Sequence, residues 1–181
     1  MGLFKIDDEY FGGEVKIISP TKVFSDHRGS FSVTYRADEF KEMGLPEFVQ
    51  DNCSFSTKGV VRGLHFQLEP PMGKLMRITR GTGLLVVVDI RPESPTFLKW
   101  VSVEASEFNK RQVWASARFA RGFSALTDIE VQYKCTKHFN ASSDSSIRWD
   151  DCKIGVEWGI DNPLLSERDK TAPTVKEYFH V

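Results

Sequence analysis

Chemistry in this chain begins at His65, inside the run Arg62-Gly63-Leu64-His65-Phe66-Gln67. Imidazole is the side chain whose ordinary pKa lies closest to neutrality, so it can remove a proton and return it. Strict strand alternation puts Gly63, His65 and Gln67 on one face and Arg62, Leu64 and Phe66 on the other. Arg62 reaches the rim beside His65 only if the strand twists or bulges. A histidine in an apolar strand is more often a satisfied core group than a base, so the run alone leaves both roles open.

The remaining histidines are His27, His138 and His180, with no His-x-His pair and with Gln at position 67. A three-histidine metal site near His65 is therefore not expected, and neither a metal nor any other cofactor is called for. Cys53, Cys135 and Cys152 are odd in number and widely spaced, which speaks against a disulfide framework or a CxxC metal knuckle. They read as reduced, partly buried thiols.

Short β-branched or aromatic stretches separated by Gly, Pro, Asp and Asn must position these groups. They are Val15–Ile18, Phe31–Tyr35, Val60–Phe66, Leu75–Thr79, Leu84–Ile90, Trp100–Glu104, Arg111–Trp114 and Val131–Cys135. Leu84–Ile90 is almost continuously apolar after the turn Gly81-Thr82-Gly83, which predicts a strand buried on both faces and crossing the centre of the fold. One short helix is expected over Ala37–Met43, stopped by Gly44 and Pro46, and a second helical turn over Asn162–Glu167. No repeat, low-complexity tract or linker divides the chain, so residues 1–181 read as a single domain, a β-barrel with one site.

A chain of 181 residues, 40% of them apolar, can bury one good core. Its 24 Lys and Arg nearly balance 25 Asp and Glu, so no overall field draws it to nucleic acid or to an anionic membrane. Anionic ligands must be met by locally placed arginines. Asp7, Asp8 and Glu9 interrupt the N-terminal stretch where a signal peptide would be apolar, and no apolar run approaches membrane-spanning length. The expected location is cytoplasmic.

Seven blocks in order make the sequence more specific: Asp26-x-Arg28-Gly29-x-Phe31, Gln50-Asp51-Asn52-x-Ser54, Arg62–Gln67, Gly73-Lys74-Leu75, Asp89-x-Arg91-x-x-Ser94-Pro95-Thr96, Tyr133-Lys134-Cys135 and Leu165–Asp169. Together they resemble the dTDP-4-dehydrorhamnose 3,5-epimerase family over nearly the whole chain. The resemblance implies a mainly β, cupin-type jelly-roll barrel with a few short helices and no metal. It implies an isomerase of deoxysugar and carbohydrate biosynthesis that inverts C3, C5 or both in a nucleoside-diphosphate 4-keto-6-deoxy sugar, and a homodimer formed by sheet exchange near the N-terminus.

By that resemblance His65 is the catalytic base and Asp169 the carboxylate that fixes its tautomer. Lys74 faces the enolate oxygen left by deprotonation, and Tyr133 returns a proton to the opposite face. Arg28, Gln50, Asn52, Arg62, Arg121 and Phe139 fall at substrate-binding positions, the arginines suiting diphosphate oxygens through their forked donors. Read singly, Lys74 is equally a solvated loop charge, Tyr133 a half-buried strand aromatic and Asp169 a cap.

Three positions depart from the family pattern. The histidine of a usual Phe-Ala-His-Gly-Phe block is Arg121, placed to keep or strengthen an anionic contact, with Arg118 nearby. A glutamate expected after Phe31 is Val33, and an aromatic hydroxyl expected beyond Tyr133 is Phe139. These changes put a CDP- or GDP-linked substrate, or a 3-epimerase or 5-epimerase acting at one centre only, beside the dTDP 3,5-epimerase reading. A 3,4-ketoisomerase and a non-catalytic sugar-nucleotide-binding barrel are the remaining alternatives.

Overall fold

The computed structural model of the chain describes residues 2–180. Its strands are β1 (Phe4–Tyr10), β2 (Val15–Pro20), β3 (Phe24–Asp26), β4 (Gly29–Phe31), β5 (Gln50–Ser56), β6 (Val61–Gln67) and β7 (Lys74–Arg80). They continue with β8 (Thr82–Asp89), β9 (Trp100–Ser106), β10 (Gln112–Ala115), β11 (Phe119–Ala125), β12 (Ile129–Cys135) and β13 (Asp144–Ser146). Three short helices accompany them: α1 (Ala37–Glu42), α2 (Glu167–Lys170) and α3 (Val175–Phe179).

A six-stranded sheet ordered β1-β2-β10-β7-β12-β5 faces a five-stranded sheet ordered β13-β6-β11-β8-β9, while β3 and β4 form a separate hairpin. This is the mainly β jelly roll that the sequence led us to expect. Hydrogen-bonded pairing stays within each sheet, so the barrel is a flattened sandwich of two facing sheets.

Apolar residues two apart along each strand build the space between the sheets. Ile17, Met76, Ile78, Val113, Ile129 and Val131 of the larger sheet meet Leu85, Val87, Val103, Phe119 and Phe123 of the smaller. Full burial of each such side chain contributes roughly 1.5–3 kcal/mol. The outer face of the smaller sheet is covered too: Leu64, Phe66, Val86 and Val88 pack under Ile147, Ile154, Trp158 and Val175 of the C-terminal segment. On the outer face of the larger sheet, Ile18, Leu75 and Trp114 receive Phe40 of α1.

β8 is thus buried on both faces as expected, but it lies next to the edge strand β9, and β11 takes the middle of the sheet. The apolar run reports burial by the two covering layers rather than centrality. The expected strand Phe31–Tyr35 ends at Phe31. Val33 and Tyr35 are held instead by side-chain packing on the Phe40 cluster, and the Thr34 carbonyl accepts from the Gln112 amide. The turn expected over Asn162–Glu167 is extended, because the Leu164 N–H donates to the Gly59 carbonyl and its own carbonyl accepts from Val61 N–H. Ser166 then caps α2, which starts at Glu167.

Candidate active site

Cross-strand register on the inner face of the larger sheet lines up three rows. Gln50, Cys135 and Lys74 form one, Asn52, Tyr133 and Met76 the next, and Ser54, Val131 and Ile78 the third. Opposite residues of an antiparallel pair share a face, so the polar rows continue the apolar core toward one end of the sandwich. Lys74 Nζ sits 4.9 Å from the centre of the Tyr133 ring.

The opposing wall is β6 on β11, where His65 stands opposite Arg121 and the register shifts between Arg121 and Phe123. The shift puts Arg62 and His65, three residues apart, on the same cavity wall, while Val61 and Leu64 both point to the covered outer face. Simple alternation would have separated them. Glycine at 63 is required here: its φ is +148° and a Cβ would lie 2.8 Å from Gly122 Cα and 3.3 Å from Trp158 Cη2. A side chain would push β6 off β11 and displace His65.

His65 Nε2 lies 2.5 Å from Asp169 Oδ1, and the other carboxylate oxygen accepts from Ser166 Oγ at 3.0 Å. The His65 side chain is 28% exposed and Asp169 only 3%. Burial by itself raises the Asp169 pKa, but the hydrogen bonds from His65 and Ser166 and the Arg168 charge outweigh it, and the carboxyl lies below its ordinary value. A neutral imidazole donating Nε2–H to this carboxylate keeps its lone pair on Nδ1.

Between the two walls lies a cavity of about 160 Å³ lined by Arg62, His65, Lys74, Arg121 and Tyr133 above Met76, Phe123 and Val131. It opens into a cleft of about 440 Å³ bounded by Gln50, Asn52, Phe139, Asp144 and Arg168. Burial, followed by the charge of Arg121, lowers the Lys74 pKa to about 8. Burial raises the Tyr133 pKa, so its phenol stays protonated at neutral pH.

The structure therefore brings His65, Lys74, Tyr133 and Arg62 together around one cavity, with Asp169 behind His65 and with Gln50, Asn52 and Phe139 in the adjoining cleft. Arg62 donates from Nε to Ser56 Oγ at 3.0 Å and from Nη2 to the Phe55 carbonyl. Gln50 Nε2 donates to Asn52 Oδ1, and its Oε1 accepts from the Phe139 N–H. Phe139 is 58% exposed at the cleft mouth.

Arg28 is not brought to this site within one chain. It projects from the β3–β4 hairpin, 78% exposed and paired with Asp26. Arg118 points outward to Glu93. Arg121 is buried, its guanidinium held by the carbonyls of Met72, of Ala115 at the end of β10 and of Ser116 just beyond it. Arg168 and Asp144, which form an ion pair at the cleft mouth, were not singled out from the sequence. Arg168 stands next to Asp169, and that adjacency was the available signal. Among the described residues no group of three or more His, Cys, Asp or Glu is placed to hold a metal ion.

Comparison with known proteins places the chain firmly. The model of the family described as dTDP-4-dehydrorhamnose 3,5-epimerase matches residues 13–177. A dTDP-4-dehydrorhamnose 3,5-epimerase of Shigella flexneri is 49% identical over 86% of this chain and 88% of its own length. The crystal structure of a dTDP-6-deoxy-D-glucose-3,5-epimerase from Legionella pneumophila, in complex with dTDP-4-keto-L-rhamnose, superposes with a TM-score of 0.92. It is 38% identical and covers 97% of this chain and 94% of that one. A dTDP-4-dehydro-6-deoxyglucose 3-epimerase of a Streptomyces species is 35% identical over 84% of this chain and 81% of its own.

Proposed function

The chain belongs to the dTDP-4-dehydrorhamnose 3,5-epimerase family and is an isomerase of nucleotide sugars, and from that premise we propose how its residues carry the reaction. His65 removes the proton from a carbon next to the C4 ketone, with Asp169 holding the ring and stabilising the imidazolium. The electron pair moves into the ketone, and Lys74 donates to the enolate oxygen. Tyr133 then supplies a proton to the opposite face, which inverts the carbon. The observation that carries this reading is His65, held from behind by buried Asp169, facing Lys74 and Tyr133 across one small cavity.

The substrate we assign is a dTDP-linked 4-keto-6-deoxyhexose, by analogy with the sugar nucleotide in the Legionella structure. Arg62 suits the diphosphate, and Gln50 and Asn52 suit the nucleotide and sugar hydroxyls. Incubation of the enzyme with dTDP-4-keto-6-deoxy-D-glucose in D₂O, followed by proton NMR, tests it. Deuterium at both C3 and C5 of an inverted product is the expected result. A product without carbon-bound deuterium would sink the assignment, and a 3-keto product would make the enzyme a ketoisomerase.

Inversion at C3 alone is the second reading, favoured by Phe139 where a phenol is usual and by the similarity to a 3-epimerase. Deuterium at one carbon would select it.

We further propose that one cytoplasmic domain, residues 1–181, works as a homodimer. The β3–β4 hairpin supports this: Val23, Phe24 and Phe31 are 40%, 47% and 66% exposed there. A second copy laid over that apolar face would cover it and carry Arg28 to the neighbouring site. The free thiols of Cys53, Cys135 and Cys152 suit a reducing compartment.

A further inference from the structure

Arg121 is the least explained charge in the molecule. It is 3% exposed, stands opposite His65 across β6 and β11, and lines the same cavity as Lys74 and Tyr133. One terminal nitrogen, Nη2, donates to the Met72 and Ala115 carbonyls at 2.8 and 3.2 Å and to the Ser116 carbonyl. Nε and Nη1 have no hydrogen-bond partner among the described residues, although both are buried. The cavity lining contains Arg62, Lys74 and Arg121 and, among the described residues, no carboxylate.

A buried cation without a counter-charge is costly, and an interior arginine is ordinarily paired. The fixed carbonyl tethers hold this one in place, and its burial means that its charge acts over a longer distance than it would in solution. We propose that Arg121 is a positioning residue of the epimerase reaction, a fixed cation that acts through Lys74 to raise the positive potential at the enolate oxygen. This rests on the reading of Lys74 as the enolate's donor. It differs from a diphosphate contact in that Arg121 is 3% exposed and tied by Nη2 to three backbone carbonyls, whereas Arg62 and Arg168 are exposed.

The surroundings of Lys74 agree with this role. The groups that face it are Arg121 on β11, Cys135 and Tyr133 on β12, Arg62 and His65 on β6, Asp144 on β13 and Arg168 on α2. Asp144 is committed to Arg168, and burial pushes the Cys135 thiol up, keeping it neutral. After burial, the Arg121 charge is the largest influence lowering the Lys74 pKa. An ammonium so placed gives up its proton more readily to an oxyanion, and it forms a stronger hydrogen bond to it.

The test measures Lys74 directly. The rate of its dinitrophenylation is followed against pH by peptide mass spectrometry in the wild type, Arg121→Gln and Arg121→Lys. Turnover of dTDP-4-keto-6-deoxy-D-glucose is measured alongside. Arg121→Gln should raise the Lys74 midpoint by about one pH unit and lower kcat about tenfold with little change in KM. Arg121→Lys, which keeps the charge, should restore both. If Arg121→Gln does not fold, Arg121→His, neutral above about pH 7.5, makes the same comparison.

An unchanged midpoint in a folded neutral variant would overturn the proposal, leaving Arg121 as a tether of the Met72 loop to the end of β10. A raised KM at unchanged kcat would also overturn it, assigning Arg121 to the diphosphate. Full kcat in Lys74→Met would remove the reading of Lys74 on which the proposal rests, and that result is distinct from either.

Discussion

His65 and Asp169 stand 104 positions apart in sequence, yet Nε2 and Oδ1 meet at 2.5 Å. The carboxylate arrives on a helix of four residues, Glu167–Lys170, whose capping Ser166 accepts from the Asp169 N–H at 3.1 Å and donates to its carboxylate. Both ends of the carboxyl are thereby fixed before any substrate arrives. The imidazole is held in one orientation, as the proposed role of His65 as a base requires.

Replacing His65 with Ala should reduce deuterium incorporation at C3 and C5 by about 10²–10⁴-fold. Nucleotide affinity, read by titration calorimetry with dTDP, should stay within about threefold of the wild type, because the proposed nucleotide contacts Arg62, Gln50 and Asn52 are left intact. Wild-type exchange in this variant would remove His65 from the chemistry.

Asp169→Asn keeps the shape but turns an acceptor into an amide that tolerates the wrong tautomer, and kcat should fall about a hundredfold or more. The Asp169 carboxyl also lies below its ordinary pKa in the folded state. Its contribution to stability is therefore present above about pH 4 and is lost as pH falls through the folded value. Acid melts should show a weaker pH dependence below pH 4 in the Asn variant; identical slopes would contradict the linkage.

Tyr133→Phe should separate proton removal from inversion. His65 still exchanges the carbon-bound proton with solvent on its own side, while delivery from the other face is lost. Proton NMR in D₂O should show exchange without an inverted product. Equal loss of both would mean that Tyr133 serves the first step as well.

Lys74 carries an opposite signature in activity and stability. With its folded pKa lowered to about 8, the folded state holds the proton less firmly than the unfolded chain, whose lysine titrates near about 10.4. The cost of burying the charge is full below about pH 8 and declines as pH rises toward 10.4. Lys74→Met should lose activity yet melt higher than the wild type at pH 7, with the gap narrowing above pH 8. A variant that melts lower at pH 7 would show that Lys74 makes a net favourable contact.

Mixing Arg28→Ala with His65→Ala tests the shared hairpin. Each homodimer should be impaired, but a mixed dimer contains one site with His65 from one chain and Arg28 from the other. Activity recovered on mixing and refolding supports the exchange. No recovery, with dimers present by light scattering, would confine Arg28 to its own chain or exclude it from the site.

Much of this was legible along the chain. Strands β2, β6, β7, β8, β9, β10 and β12 show as alternating or continuous apolar runs, because their side chains fill either the inter-sheet core or an outer covering layer. β5 and β11 escaped the same reading. The inner face of β5 carries Gln50, Asn52 and Ser54, and β11 places Arg121 and Gly122 in mid-strand, so each strand sacrifices apolar pattern to the site.

By itself the sequence determined a mainly β chain, the candidate base in Arg62–Gln67 and, through blocks in family order, the set His65, Lys74, Tyr133 and Asp169. The first two are properties of residue type and spacing, whereas the set is what the family resemblance implies; all survive without coordinates. Tertiary structure alone decided that a register shift opposite Gly63 puts Arg62 beside His65, that Asp169 reaches His65 from a capped turn, and that Arg121 lies buried and unpaired. It also decided that Arg28 stays on an outlying hairpin. Such facts depend on which strands pair and how closely two backbones approach, and both are set by packing between segments far apart in the chain.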